Sequence, residues 1–142
     1  MAQVLYIKED MKILLVSNDI NLIKMISDNG LSLLHSVTIS SENNDPLDIM
    51  SEVCTQNPSI LILDDDFTRP NSTQLLNSIK KVNKKVSVIF ITSDDSIELG
   101  RQISPIGIQY YTIKPVIQNS LIDSVKSIIN QLQNKNSFNF TK

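Results

Sequence analysis

The chain has 142 residues, 41% of them apolar, enough to build one domain whose core needs neither a disulfide nor a metal. The 13 Lys and Arg against 15 Asp and Glu give a net charge of -2, which excludes the basic footprint of a nucleic-acid binder. A single cysteine, Cys54, excludes an internal disulfide, and no apolar run reaches the ~18 residues of a membrane span. The N-terminus lacks a secretory signal, so the composition is read as that of a cytoplasmic protein with no membrane association.

Residues 1–10 form an unassigned leader, followed by a domain over 11–132. The first apolar run, 13–16, is a buried strand. It breaks at Ser17-Asn18-Asp19, whose side-chain oxygens suit the N-terminus of a helix over 20–29, and Gly30 supplies a left-handed stop. A short strand over 37–39 follows His35, which has no second histidine or cysteine to share a metal and is read as half-buried structure. Asp45-Pro46-Leu47-Asp48 starts the next helix with a cap, a proline at its first turn and an acid against its dipole. Met50, Val53 and Cys54 are its expected buried stripe, and Asn57-Pro58 its end.

Ile60-Leu61-Ile62-Leu63-Asp64-Asp65-Asp66 is the stretch on which the rest turns. Four apolar residues running into three carboxylates read as a strand buried on both faces that delivers acid to the edge of a parallel sheet. Mutual repulsion among those acids calls for a nearby cation. Residues 67–70 read as a loop, and Leu75, Leu76, Ile79 and Val82 mark a helix ending in Lys80, Lys81, Lys84 and Lys85, a solvated cap on the helix dipole. A strand over 86–91 ends at Thr92-Ser93, a short helix covers 96–103, and Gly107 turns the chain into a strand over 108–113 that closes on Lys114-Pro115. Leu121, Ile122, Val125, Ile128, Ile129 and Leu132 are the stripe of the last helix, with 133–142 left as a polar, frayed tail.

Strand and helix alternate throughout, which predicts a doubly wound α/β domain with a parallel sheet and its site at the carboxyl ends of the strands. That edge gathers Asn18 and Asp19, Asp64 to Asp66, Thr92 and Ser93, and Lys114. An acid, a hydroxyl and an ammonium suit a phosphoryl group: the carboxylate attacks phosphorus, the hydroxyl donates to a phosphoryl oxygen, and the lysine neutralises developing charge.

With Asp64 after Pro58-Ser59-Ile60-Leu61-Ile62-Leu63, Thr92 after the fourth strand, and Gly107, Tyr111 and Lys114-Pro115 in order, residues 11–132 resemble a response-regulator receiver domain. The resemblance implies a flavodoxin-like five-stranded parallel sheet of order 2-1-3-4-5 with helices on both faces. It further implies Asp64 as the phosphoacceptor, Thr92 and Lys114 as its catalytic partners, Thr92 and Tyr111 as the switch pair, and magnesium as cofactor. In such a domain the metal would fall to Asn18, Asp64 and Asp66, with Asp19 as a further ligand. The family places two acids at the end of strand one, where this chain has Ser17 and Asn18; a hydroxyl and an amide hold magnesium less tightly. Implied partners are a sensor histidine kinase or phosphotransfer protein, a downstream protein, and a second copy docked through the helix over 96–103, the strand over 108–113 and the last helix. Two alternatives stand beside this reading. One is an interaction module of the same fold that does not depend on phosphorylation; the other is a haloacid-dehalogenase-type phosphatase, whose DxDxT motif Asp64, Asp66 and Thr68 resemble.

Overall fold

The computed structural model describes residues 11–140, with side chains over 11–134; the leader at 1–10 lies outside the described residues. Five parallel strands form one sheet of order β2-β1-β3-β4-β5: β1 (Lys12–Val16), β2 (Ser36–Ser40), β3 (Ile60–Asp64), β4 (Ser87–Thr92) and β5 (Tyr110–Ile113). The doubly wound flavodoxin-like topology expected from the sequence is therefore the one the chain adopts. β3 is central, paired with β1 and β4, and all five of its residues are buried, which accounts for its unbroken apolar run.

Helices α1 (Ile20–Ser27) and α7 (Gln118–Phe140), with the short α2 (Leu31–Leu34), cover one face; α3 (Pro46–Gln56), α5 (Ser72–Val82) and α6 (Ile97–Ile103) cover the other. The pleat sorts the strands accordingly. Ile13, Leu15, Ile60, Ile62, Ile89 and Ile91 pack under α1 and α7, while Leu14, Val16, Leu61, Leu63, Val88 and Phe90 pack under α3, α5 and α6. Local signals hold as expected at several termini. Asp19 caps α1 by accepting from the N–H groups of Asn21 and Leu22, Asp45 caps α3 by accepting from that of Leu47, and Gly107 adopts a φ of 94°; Gly30, at φ 86°, leads into α2 instead of stopping the first helix, which ends at Ser27, short of the expected 29. His35 is half-buried and accepts the N–H of Met11 through Nδ1.

Several expectations are corrected. Cys54 is exposed, because Ile49 and Val53, one turn apart, define the buried face of α3 and position 54 lies well around the helix from both. Val82 is exposed by 58% at the end of α5, beyond the reach of the sheet. The segment read as a loop after β3 begins instead with a helical turn, α4 (Asp65–Thr68), which Asp64 caps by accepting from the N–H of Asp66. Lys80 does more than solvate its helix end, since its ammonium donates to the carbonyl of Val86 at 2.9 Å. Finally, α7 passes the expected end at Leu132 and continues to Phe140; no glycine or proline interrupts it.

Candidate functional site

Asp64 ends β3 with only 1% exposure. Its parity along the strand places it on the α1/α7 side, the side shared by Ser17 beyond β1 and Lys114 beyond β5. Oδ2 of Asp64 accepts from the Ser17 hydroxyl at 2.7 Å and from the Lys114 ammonium at 3.0 Å, while Oδ1 accepts the Asp66 N–H at 3.1 Å. Lys114 also lies 2.9 Å from Asp19 and 3.1 Å from Asp66. One ammonium thus gathers three carboxylates, and the crowded acids are met by two cations, Lys114 on Asp64 and Asp66 and Arg69 on Asp65 and Asp66.

Thr92 has the opposite parity and does not reach Asp64. Fully buried, its hydroxyl donates to Oδ2 of Asp65 at 2.7 Å and accepts the N–H of Asp94 at 3.0 Å. Asp65, itself 3% exposed, also accepts from the Ser72 hydroxyl at 2.6 Å and from the guanidinium of Arg69 at 2.8 Å. The acid, hydroxyl and ammonium expected to converge are therefore divided between two adjacent carboxylates, Lys114 on Asp64 and Thr92 on Asp65.

Asp66 joins the two halves. Its Oδ2 lies on Lys114, and its Oδ1 accepts from the Ser93 N–H at 3.2 Å, the Ser93 hydroxyl at 2.7 Å and Arg69 at 2.7 Å. Tyr111 stands on the Thr92 side, half-buried, with its ring 5.2 Å from that of Phe90. Asn18 is exposed.

Protonation follows from these contacts. Burial pushes the Asp19 carboxyl up, but Lys114 and the N–H groups of Asn21 and Leu22 outweigh it and hold it below the ordinary value. At Asp66 burial is likewise overcome, here by the Ser93 hydroxyl, Lys114 and the Ser93 N–H. For Lys114 burial disfavours the ammonium, yet Asp19, Asp64 and Asp66 raise it well above an ordinary lysine. Asp65 raises Arg69 against the opposing effect of burial. All four groups are charged at neutral pH.

The residues present suit a magnesium ion poorly. Ser17 spends its proton on Asp64, Asn18 faces solvent, and the oxygens of Asp19, Asp64 and Asp66 converge on an ammonium. Among the described residues no three His, Cys, Asp or Glu side chains are grouped to hold a metal.

The structure brings the expected Asp64, Asp66, Ser93 and Lys114 to one edge, and it adds contacts of Asp65, Arg69 and Ser72 that the sequence reading did not single out. The four-residue spacing of Asp65 and Arg69, a favourable pairing on a helical turn, was the available signal.

Fold and site together describe an acidic edge gathered around one lysine on a doubly wound sheet, and comparison with known proteins gives the chain a family. The response regulator receiver domain model matches residues 13–126, so the chain belongs to that family of signalling domains. The phosphatase reading gives way to this membership, with Asp64 on the third strand of the domain.

Solved structures with the same fold include three receivers. Chemotaxis response regulator CheY4 of Vibrio cholerae is 15% identical with a TM-score of 0.69, over 84% of this chain and 99% of that one. A CheY-like receiver domain protein from Methanospirillum hungatei is 19% identical with a TM-score of 0.76, over 90% and 99%. The DrrB receiver domain in its BeF3-activated form is 21% identical with a TM-score of 0.71, over 86% and 99%. No curated protein matches the chain.

Among the described residues no helix is long and apolar enough to cross a membrane.

Proposed function

We propose that Asp64 accepts a phosphoryl group from the phosphohistidine of a sensor kinase or phosphotransfer protein, and that the domain passes the change to a protein partner. The observation that carries this reading is the Lys114 ammonium, 3.0 Å from a carboxylate delivered by the central strand to the carboxyl edge of the sheet. An Asp64 oxygen forms the O–P bond as the P–N bond to the donor imidazole breaks. The electron pair leaves on that nitrogen, which takes a proton from solvent, and Lys114 offsets the charge on the transferring oxygens. A cleft of about 710 Å³ beside Lys114, lined also by Asp19, Lys24 and Asp28, gives the donor a way in.

Among the described residues magnesium would draw on Asp19, Asp64 and Asp66, and on this reading it binds weakly because it competes with Lys114 for them. The partner face is that of α6, β5 and α7, where Ile97, Tyr110 and Ile113 are exposed; a downstream protein or a second copy docks there. The cell compartment is the cytoplasm, where such donors work.

Acetyl phosphate or beryllofluoride, each with and without Mg²⁺, tests the proposal. One phosphoryl group by intact mass, lost in Asp64→Asn, is expected; no gain in mass and no spectral change with beryllofluoride would refute it. A second reading, a receiver-fold interaction module independent of phosphorylation, is favoured by one observation: Asp64 is 1% exposed with both oxygens already accepting hydrogen bonds. Rapid labelling together with tight Mg²⁺ binding would exclude it.

A further inference from the structure

A phosphoryl group on Asp64 brings oxygens that must be met by donors at the same sheet edge. Besides the Ser17 hydroxyl, which donates to Asp64 itself, the donors there are the Thr92 hydroxyl, the Ser93 N–H and hydroxyl, the Lys114 ammonium and the Arg69 guanidinium. Each already donates to a carboxylate. A hydroxyl has a single proton, and that of Thr92 is given to Asp65 at 2.7 Å. Both donors of Ser93 go to Oδ1 of Asp66, and Lys114 lies on its Oδ2. Arg69 reaches across both acids, at 2.8 Å from Asp65 and 2.7 Å from Asp66.

We infer that the site is liganded from within: the Asp65 and Asp66 carboxylates, clasped by Arg69, occupy the donors that a phosphoryl group on Asp64 requires. Asp66 is the movable part. Its side chain is 28% exposed and that of Arg69 47%, whereas Asp65 is buried among Thr92 and Ser72. Phosphoryl entry therefore requires Asp66 to leave Ser93 and Lys114, and release of Asp66 is the step at which a partner can set the rate. In its phosphoryl half the inference rests on the reading of Asp64 given above.

The test compares the wild-type chain with Asp66→Ala, Arg69→Ala and Asp95→Asn by two readouts: the Ser93 amide resonance during titration with inorganic phosphate, and the rate of labelling by acetyl phosphate. Asp95 is exposed on the same edge and makes none of these contacts, so its variant removes an equal charge without vacating a donor. In Asp66→Ala the Ser93 amide is expected to shift saturably with phosphate, where in wild type it stays fixed. Labelling should speed up by about tenfold, the effect of one charge-assisted hydrogen bond at a partly exposed site. Arg69→Ala, on a side chain nearly half exposed, should move both readouts in the same direction by less, and it carries the test if Asp66→Ala fails to fold.

An unmoved Ser93 amide in both Asp66→Ala and Arg69→Ala, or equal gains in Asp95→Asn, would overturn the inference. Labelling of wild type and Asp66→Ala at one rate would overturn it while upholding Asp64 as acceptor. A phosphate response confined to the vacated variants, with no protein labelled, would uphold the internal ligand and reject Asp64.

Discussion

Replacing Lys114 with methionine keeps the aliphatic stem and deletes the charge that three carboxylates share. A pair of unit charges at about 3 Å is worth roughly 5 kcal/mol at an effective dielectric of 20 and about 1.4 kcal/mol in water, before the cost of desolvating the ammonium. The side chains of Asp19 and Asp66 are 27% and 28% exposed, so solvent screens their shares heavily. Asp64 is different, because at 1% exposure it keeps only the Ser17 hydroxyl and one N–H. The expected destabilisation is therefore about 3 kcal/mol at neutral pH, the low end of what breaking a buried pair costs. Urea denaturation measures it, with an unchanged denaturant slope showing that compactness is preserved. The penalty should shrink in acid, as the pH falls below 3.8 and through the lowered values of Asp19 and Asp66, where their protonation removes the same attractions from the wild-type protein. A loss under about 1 kcal/mol, or one equal at both pH values, would refute the claim that Lys114 is the counter-charge of the site.

Two further perturbations probe the same edge. Asp65→Ala leaves the Thr92 and Ser72 hydroxyls buried without their acceptor and should lower stability by about 2–4 kcal/mol, with Asp65→Asn recovering part of it through its amide oxygen; thermal melting of the two variants checks this. The pH dependence follows from the shifted groups. Asp19 and Asp66, held below an ordinary 3.8, contribute stability that is complete above that value and is lost as pH falls through their lowered ones. Lys114, raised above an ordinary 10.5, contributes stability that is complete below that value and is lost only as pH climbs through its raised one. Melting temperatures across the range should show no loss from this cluster between these limits, and Lys114→Met should flatten both flanks.

The sheet was legible because β1, β3 and β4 are short, largely apolar and followed by polar residues, and the caps at Asp19 and Asp45 mark helix starts by simple side-chain chemistry. Less legible was which acid meets which partner. Asp64 and Asp65 are neighbours in sequence, but Asp64 ends the strand while Asp65 opens the helical turn of α4, so the hydroxyl and the ammonium expected on one carboxylate fall on two. Cys54 misled because an apolar residue beside a buried stripe differs from one within it by a single step around a helix. The turn of α4 was hidden in a run of acids that gives no apolar period to read, although Asp64 caps it and Arg69 follows Asp65 by four residues.

The burial of β3 on both faces and along both edges fixes the address of Asp64. A carboxylate at the end of such a strand cannot travel toward a reactant; its backbone can shift only if the sheet itself opens, which makes it one of the last parts of the molecule to exchange its amide protons. Anything that changes state here must do so on the solvent side, in the turn that carries Asp66 and Arg69 and in the segment beginning at Ser93. Substitutions of the buried side chains, Asp65 included, will then register as changes in folding, and those of the exposed Asp66 and Arg69 as changes in timing. A survey of variants at this edge would separate into those two groups.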